Sequence, residues 1–210
     1  EAIRKLEIQD VTGLILDLRH NPGGLLDQAV KVSEKFLAKG ELIVTTEGRR
    51  KGENSMHKSS GRNARPELPL VVLVNEFSAS ASEIVAGCMK DLKRAKIVGK
   101  KTFGKGSVQK ILPLTGQDGS ALRLTTAKYY TPSHKVIHGK GIQPDYNISM
   151  SRMDEELLFL SRTPGGMKMI DEDRREDVKN FKDPQLVKAM EILVGKKKLR
   201  AQADKKNKGV

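Results

Sequence analysis

The sequence predicts one α/β domain over residues 1–150, followed by a helical, basic C-terminal extension over 151–210. Three observations predict it. Two short apolar runs, 13–18 and 70–74, have the length and composition of buried strands. Each is followed by a turn-rich stretch and then by apolar residues at helical spacing, the alternation of a layered α/β fold. From Asp154 onward the chain changes to charged, helix-favouring sequence.

The elements follow in order. Ala2 to Leu6 reads as the end of a helix, and 13–18 as the first strand. Asn21-Pro22-Gly23-Gly24 is a strong turn signal. Leu25 to Ala38 shows helical spacing (Leu26, Ala29, Val30, Phe36, Leu37) and stops at Gly40. Glu41 to Thr46 reads as a strand, and the polar, basic stretch 47–66 as loop. Leu70 to Val74 is the clearest buried strand, with a helix over Ser78 to Leu92 behind it. Ala95 to Gly99 is a short strand ahead of a Gly- and Lys-rich loop. Ser107 to Leu114 and Ala121 to Ala127 flank a turn, which predicts a hairpin. Lys140 to Asp145 closes the core. Pro164-Gly165-Gly166 breaks the extension, and Asp183-Pro184 starts a short helix through Leu193, with Asp183 as its N-cap.

Composition narrows the function. The 210 residues suffice for one sizeable core plus a tail. No run of about 18 apolar residues is present, so no spanning helix is expected. The chain opens on Glu1 without a visible leader, which predicts a piece of a longer protein. The single cysteine, Cys88, excludes an internal disulfide and sits in an apolar, helix-like run, so it reads as a small buried hydrophobe. Net charge is +13, with much of the excess in Lys196–Arg200 and Lys205–Lys208. Aromatic residues are 4% and Trp is absent, so base-stacking platforms are scarce and no nucleic-acid partner is expected. The basic terminus reads as a solvated tail, with a membrane-surface or polyanion contact as the alternative.

The loops after the two clearest strands carry the candidate chemistry, because sites in α/β sheets form beyond the carboxyl ends of strands. If the strands are neighbours, Arg19 to Gly24 and Asn75 to Ser82 meet at one edge. In Ser78-Ala79-Ser80-Ala81-Ser82-Glu83, the pattern Ser80-x-x-Glu83 is a capping box that simply starts a helix. The same position would aim backbone N–H groups at a developing oxyanion. A helix of about 12 residues carries the chain roughly 18 Å away, and a strand of five or six residues returns it roughly 17–20 Å. Lys105, between Gly104 and Gly106, is thereby brought back toward Ser80. Burial without a carboxylate partner, with Phe103 as cover, would favour the neutral amine that a base requires. A phosphate loop fails because Gly106 stands where Ser or Thr must hold magnesium, and a strand follows. His134 and His138 lack the Glu of a zinc-protease helix and read as loop residues. His20 ranks below Lys105 as a base, with a Ser-His arrangement left open.

Four blocks together resemble the C-terminal processing peptidases, or tail-specific proteases. They are Asp17-Leu18-Arg19-His20-Asn21-Pro22-Gly23-Gly24, Ser78-Ala79-Ser80-Ala81-Ser82-Glu83-Ile84, Thr102-Phe103-Gly104-Lys105-Gly106-Ser107-Val108-Gln109 and Lys140-Gly141-Ile142-Gln143-Pro144-Asp145. The resemblance implies Ser80 as nucleophile, Lys105 as general base and Gln109 as a residue orienting that lysine. It implies the backbone N–H groups of Gly24 and Ala81 as the oxyanion hole. It further implies a crotonase/ClpP-like spiral of ββα units, a serine endopeptidase cutting proteins near their C-termini, and no metal or nucleotide cofactor. The expected setting is the bacterial periplasm or cell envelope, with protein or peptide substrates and self-association left open. Members usually carry a PDZ domain and further core segments upstream, which are not expected within these 210 residues, so the chain alone is expected to be weakly active or inactive. Phe77 stands where the family often has glycine. The rival expectation is a non-catalytic peptide- or ligand-binding module of the same fold.

Overall fold

Two four-stranded sheets carry the chain. A computed structural model describes residues 2–116, 119–168 and 170–207, with residues 173 and 196–207 described as backbone. The first sheet is wholly parallel and runs in the order β1 (Leu14–Asp17), β4 (Leu70–Val74), β5 (Lys96–Gly99), β8 (Tyr146–Asn147). The second is antiparallel, in the order β3 (Ser55–Lys58), β2 (Leu42–Gly48), β7 (Ala121–Tyr130), β6 (Ser107–Pro113). The helices are α1 (Ala2–Glu7), α2 (Leu26–Glu34), α3 (Ala81–Asp91), α4 (Arg152–Arg162), α5 (Glu172–Asn180) and α6 (Pro184–Asn207).

β4 is buried along its whole length, and its period-2 side chains serve two different layers. Leu70, Val72 and Val74 join Ile97 and the α2–α3 side, with Ile84, Val85 and Met89 of α3. Val71, Leu73 and Val98 point the other way, onto Ala189, Ile192 and Leu193 of α6. That is why the run contains no polar residue: a parallel strand covered on both faces has no solvent side. Each fully buried Val or Leu contributes about 1.5–3 kcal/mol. The first residues of α6 are therefore core, while α4 and α5 close a satellite cluster of Leu157, Leu160 and Val178. α4 starts on a complete capping box, in which Ser151 Oγ accepts from Asp154 N–H and Asp154 Oδ2 accepts from Ser151 N–H.

Several expected bounds move. α2 stops at Glu34 instead of running to Ala38: Lys35 N–H and Phe36 N–H bond back three residues, to Val32 O and Ser33 O, which tightens the last turn and ends the helix. Lys35 O accepts from Arg65 N–H at 2.7 Å and Phe36 O from Arg94 Nε at 2.7 Å. The stretch 47–66 contains strand β3, which pairs with β2. The final helix does not end at Leu193 but continues to Asn207, through a run of Lys, Leu, Arg, Ala and Gln that favours helix and tolerates Gly195. The tail expectation concerns side chains beyond residue 195 and so falls outside those described. Among the described residues no helix is long and apolar enough to cross a membrane.

Cys88 lies inside α3 with no exposed surface. Burial, with the Glu41 and Asp91 carboxylates behind it, pushes its thiol well above the ordinary range. A water-soluble disulfide reagent at neutral pH is expected to leave Cys88 untouched in the folded chain and to label it after denaturation. Rapid labelling of the native protein would contradict this placement.

Candidate active site

The order β1-β4-β5 puts the loops that follow these three strands at one edge. They interlock through backbone. Ala79 N–H donates to Asn21 O at 3.1 Å, and Phe103 N–H donates to Ser78 O at 3.0 Å. Asn75 ties the first two loops: its Oδ1 accepts from His20 N–H at 2.9 Å and from Phe77 N–H at 3.2 Å.

The three serines of the second loop differ in what their hydroxyls do. Ser78 is fully buried and Oγ donates to Leu18 O at 2.7 Å. Ser82 is buried and Oγ donates to Asn21 O at 3.0 Å. Ser80 is half-buried, and its hydroxyl makes no cap and no other hydrogen bond among the described residues. Its backbone is also unusual. With φ 55° and ψ −117° it takes a conformation that L-residues rarely adopt, at a cost of about 1–3 kcal/mol. The turn presents Ser80 at the N-terminus of α3, where the helix dipole and unpaired N–H groups favour negative charge.

Glu83 holds that turn. It has no exposed surface, and its carboxylate accepts four hydrogen bonds. Oε1 takes Thr102 Oγ1 at 2.5 Å and Gly104 N–H at 2.7 Å. Oε2 takes Ser80 N–H at 2.9 Å and Lys105 N–H at 2.8 Å. One oxygen therefore bridges the backbones of Ser80 and Lys105, which lie no farther apart than those two distances combined. The sequence pattern marked Glu83 only as a helix cap. Its second pair of donors comes from a loop about twenty residues on, which local spacing does not reveal.

Lys105 is exposed, and its ammonium makes no hydrogen bond or ion pair among the described residues. The expected cover is missing, since Phe103 is 68% exposed. Thr102, Gly104 and Gly106 are the buried residues of the loop 101–106, and Lys101, Phe103 and Lys105 between them are exposed. No hydrogen bond joins Ser80 Oγ to Lys105 Nζ. Gln109 lies on β6, exposed and opposite Thr125, without a side-chain hydrogen bond among the described residues. His20 is engaged elsewhere: Nε2 meets Asn75 Nδ2 at 2.9 Å, and its ring stacks on Phe77 at 5.1 Å. His134 meets Glu47 at 2.6 Å and stacks on Tyr130.

Gly23 packs directly against the Ser80 turn. Gly23 has φ 95°, and a Cβ there would lie 2.5 Å from Ala79 O and 2.7 Å from Ala81 N. Neither Gly24 N–H nor Ala81 N–H has an acceptor among the described residues. Beside them opens a cavity of about 140 Å³ walled by Leu18, Leu25, Ala29, Val32 and Val85, with Gly24 and Ala81 at its rim. Gly23→Ala is expected to slow any reaction at Ser80 by about a hundredfold, because ångström-scale misplacement costs that much. Wild-type acylation kinetics in that variant would show that the glycine does not set the site.

Behind the first loop lies a second cluster. Asp17 and Arg19 flank Leu18, and the buried Arg19 guanidinium bonds both Asp17 and Asp183, while Arg162 reaches Asp17 at 2.6 Å. Burial alone would raise the Asp17 carboxyl, but the hydrogen bonds from Arg19 and Arg162 outweigh it and leave it below its ordinary value. Its stabilisation is therefore present above the ordinary carboxylate pKa and lost as pH falls through the lowered one.

Residues 1–148 match the profile of peptidase family S41. The carboxy-terminal-processing protease of Bartonella bacilliformis is 54% identical over 141 residues, covering 67% of this chain and 32% of that protein. A probable CtpA-like serine protease of Staphylococcus epidermidis is 46% identical over 148 residues, covering 70% of this chain and 30% of that protein. Among solved structures, the photosystem II D1 C-terminal processing protease superposes with a TM-score of 0.64 at 39% identity, over 70% of this chain and 37% of that one. The mixed α/β architecture, with one parallel and one antiparallel sheet, is thus that of a serine protease class. The chain belongs to peptidase family S41, among its CtpA-like carboxy-terminal processing proteases. It spans about a third of the length of the curated relatives it matches.

Proposed function

We propose that this chain carries the catalytic centre of a serine endopeptidase working by a Ser80–Lys105 dyad through an acyl-enzyme. The observation that carries the reading is the contrast among the three serines. Ser78 and Ser82 are bonded to backbone, whereas Ser80 has an uncommitted hydroxyl on a strained turn held by Glu83. Nothing in the packing explains a free, half-buried hydroxyl there, and nucleophilic attack does.

In this scheme Ser80 Oγ attacks the peptide carbonyl carbon and its proton passes to neutral Lys105 Nζ. The N–H groups of Gly24 and Ala81 stabilise the oxyanion. The C–N bond then breaks as Lys105 returns the proton to the leaving amine. Water, deprotonated by Lys105, releases the acyl group and regenerates Ser80. The uncommitted lysine side chain is free to swing to Ser80, and Gln109 would orient it on the substrate side. The apolar cavity beside Gly24 fits a small apolar side chain next to the scissile bond. We extend the reading to cleavage near protein C-termini, in the bacterial periplasm or cell envelope, on the strength of family membership. A crotonase/ClpP-type core is part of the same proposal, supported by the succession β1-α2-β2-β3 and then β4-α3.

The test is acylation by a fluorophosphonate, followed against pH. Wild-type labelling is expected at Ser80. Lys105→Ala is expected to label about 10²- to 10⁴-fold more slowly, the usual contribution of a general base. Equal labelling of the two proteins at every pH would remove Lys105 from the scheme.

A further inference from the structure

We propose that Asp183 and Gln185, at the start of α6, are positioning residues for the loop Arg19–Gly24, acting through Arg19. The inference rests on the dyad reading above, because that loop carries the proposed oxyanion donor Gly24.

Arg19 begins the loop, and its side chain is 1% exposed. Its N–H groups all find acceptors. Nε donates to Asp17. Nη1 donates to Asp183 Oδ1 at 3.1 Å and to Gln185 Oε1 at 2.9 Å. Nη2 donates to Asp17 Oδ2 and Asp183 Oδ2, both at 2.7 Å. With Arg162, the cluster holds two cations and two anions. Three of the four acceptor contacts named on Nη1 and Nη2 thus come from the start of α6, outside the family-matched residues 1–148.

The C-terminal side of the clamp is itself fixed. Asp183 Oδ1 also accepts from Gln185 N–H and Leu186 N–H, capping α6. Gln185 is 1% exposed and donates from Nε2 to Ile148 O at 2.8 Å. On the other side, the loop grips the Ser80 turn through Asn21 O and Gly23. A rigid path therefore runs from α6 through Arg19 to the rim of the site. If Asp183 loses its charge, a buried guanidinium keeps one carboxylate instead of two, and it relaxes by drawing the first residue of the loop toward water. The donors of the proposed oxyanion hole move with it.

Asp183→Asn isolates this effect, because asparagine caps a helix as well as aspartate and has the same shape. Two properties of the 210-residue chain are measured separately. One is amide hydrogen exchange at residues 19–23, whose N–H groups at Arg19, His20, Asn21 and Gly23 are all hydrogen-bonded. The other is fluorophosphonate acylation, split into maximal rate and half-saturating concentration. Asp183→Asn is expected to quicken exchange at 19–23 about tenfold while β4 stays protected. It is also expected to lower the maximal acylation rate about tenfold with half-saturation unchanged. Gln185→Ala should move both in the same direction by a smaller factor. Val178→Ala, which loosens the α4–α5 cluster without touching Arg19, should move neither. Wild-type exchange at 19–23 in Asp183→Asn, or the same quickening in Val178→Ala, overturns the proposal whatever the labelling shows. Persistent labelling of Ser80→Ala would overturn the dyad reading instead, and exchange would still decide the clamp.

Discussion

Ser80→Ala is expected to abolish acylation by fluorophosphonates and any cleavage of an unfolded protein substrate, a loss on the order of 10⁶-fold for a nucleophile that acts as one unit with its base. The same substitution is expected to leave stability within about 0.5 kcal/mol of wild type. Both halves follow from one observation. The hydroxyl has no hydrogen bond among the described residues, so folding gains nothing from it, and the strained backbone is unchanged when only Oγ is removed. Ser78→Ala provides the opposite pattern, since it leaves Leu18 O and Asn75 N–H without their buried partner. It should cost about 1–3 kcal/mol. Thermal melts and labelling of the two variants side by side separate a nucleophile from a structural serine. Residual labelling of Ser80→Ala at the wild-type rate would place the reactive group elsewhere.

The second large effect is expected at Glu83. Glu83→Gln keeps the shape but turns one carboxylate oxygen into an amide N–H₂. Whichever way the amide lies, two of the four donors now face another donor. Either Ser80 and Lys105 N–H lose their common acceptor, or Thr102 and Gly104 do. Each buried donor left unpaired costs about 1–3 kcal/mol, so a loss of about 2–6 kcal/mol is expected. At about 2–4 °C per kcal/mol for a chain of this size, the melting temperature should fall by roughly 4–24 °C. Acylation should fall by more than the stability loss explains, because the strained Ser80 turn and the Lys105 loop are released together. A variant that melts early but labels at the wild-type rate below its transition would show that Glu83 serves the fold alone.

What could be read from the sequence divides along physical lines. β1, β4 and the β6–β7 hairpin were legible because their signals are local: an apolar run, or alternation around a turn. β3 was not, because Ser55-Met56-His57-Lys58 lies at a sheet edge, mostly exposed, and needs no apolar pattern. β8 is two residues long and is defined only by its neighbour β5. In the site, Ser80, Lys105, Gly24 and Ala81 were singled out through ordered motifs, and the structure brings their loops to one edge. The roles of Glu83 and Arg19 were hidden because a capping pattern and an Asp-Leu-Arg string say nothing about distant partners. Asp183 could be recognised as a helix cap, but its ion pair with Arg19 spans 164 positions. The exposure of Lys105 was missed for a different reason. Apolar neighbours in sequence suggest burial, whereas the loop between β5 and β6 turns Thr102 and Gly104 to the inside and leaves both Phe103 and Lys105 exposed.

The placement of α6 also bears on how the chain is made. During synthesis β4 emerges before α6, so Val71 and Leu73 must wait for Ala189, Ile192 and Leu193 before their outward side is covered. Ribosomes add roughly 5–20 residues per second, so that sheet face remains open for several seconds and invites chaperones or wrong partners. The delay has a protective side. A nascent chain whose Arg19 has not yet met Asp183 lacks the clamp proposed to align its oxyanion donors, so on that proposal the site is completed only once the start of α6 is in place.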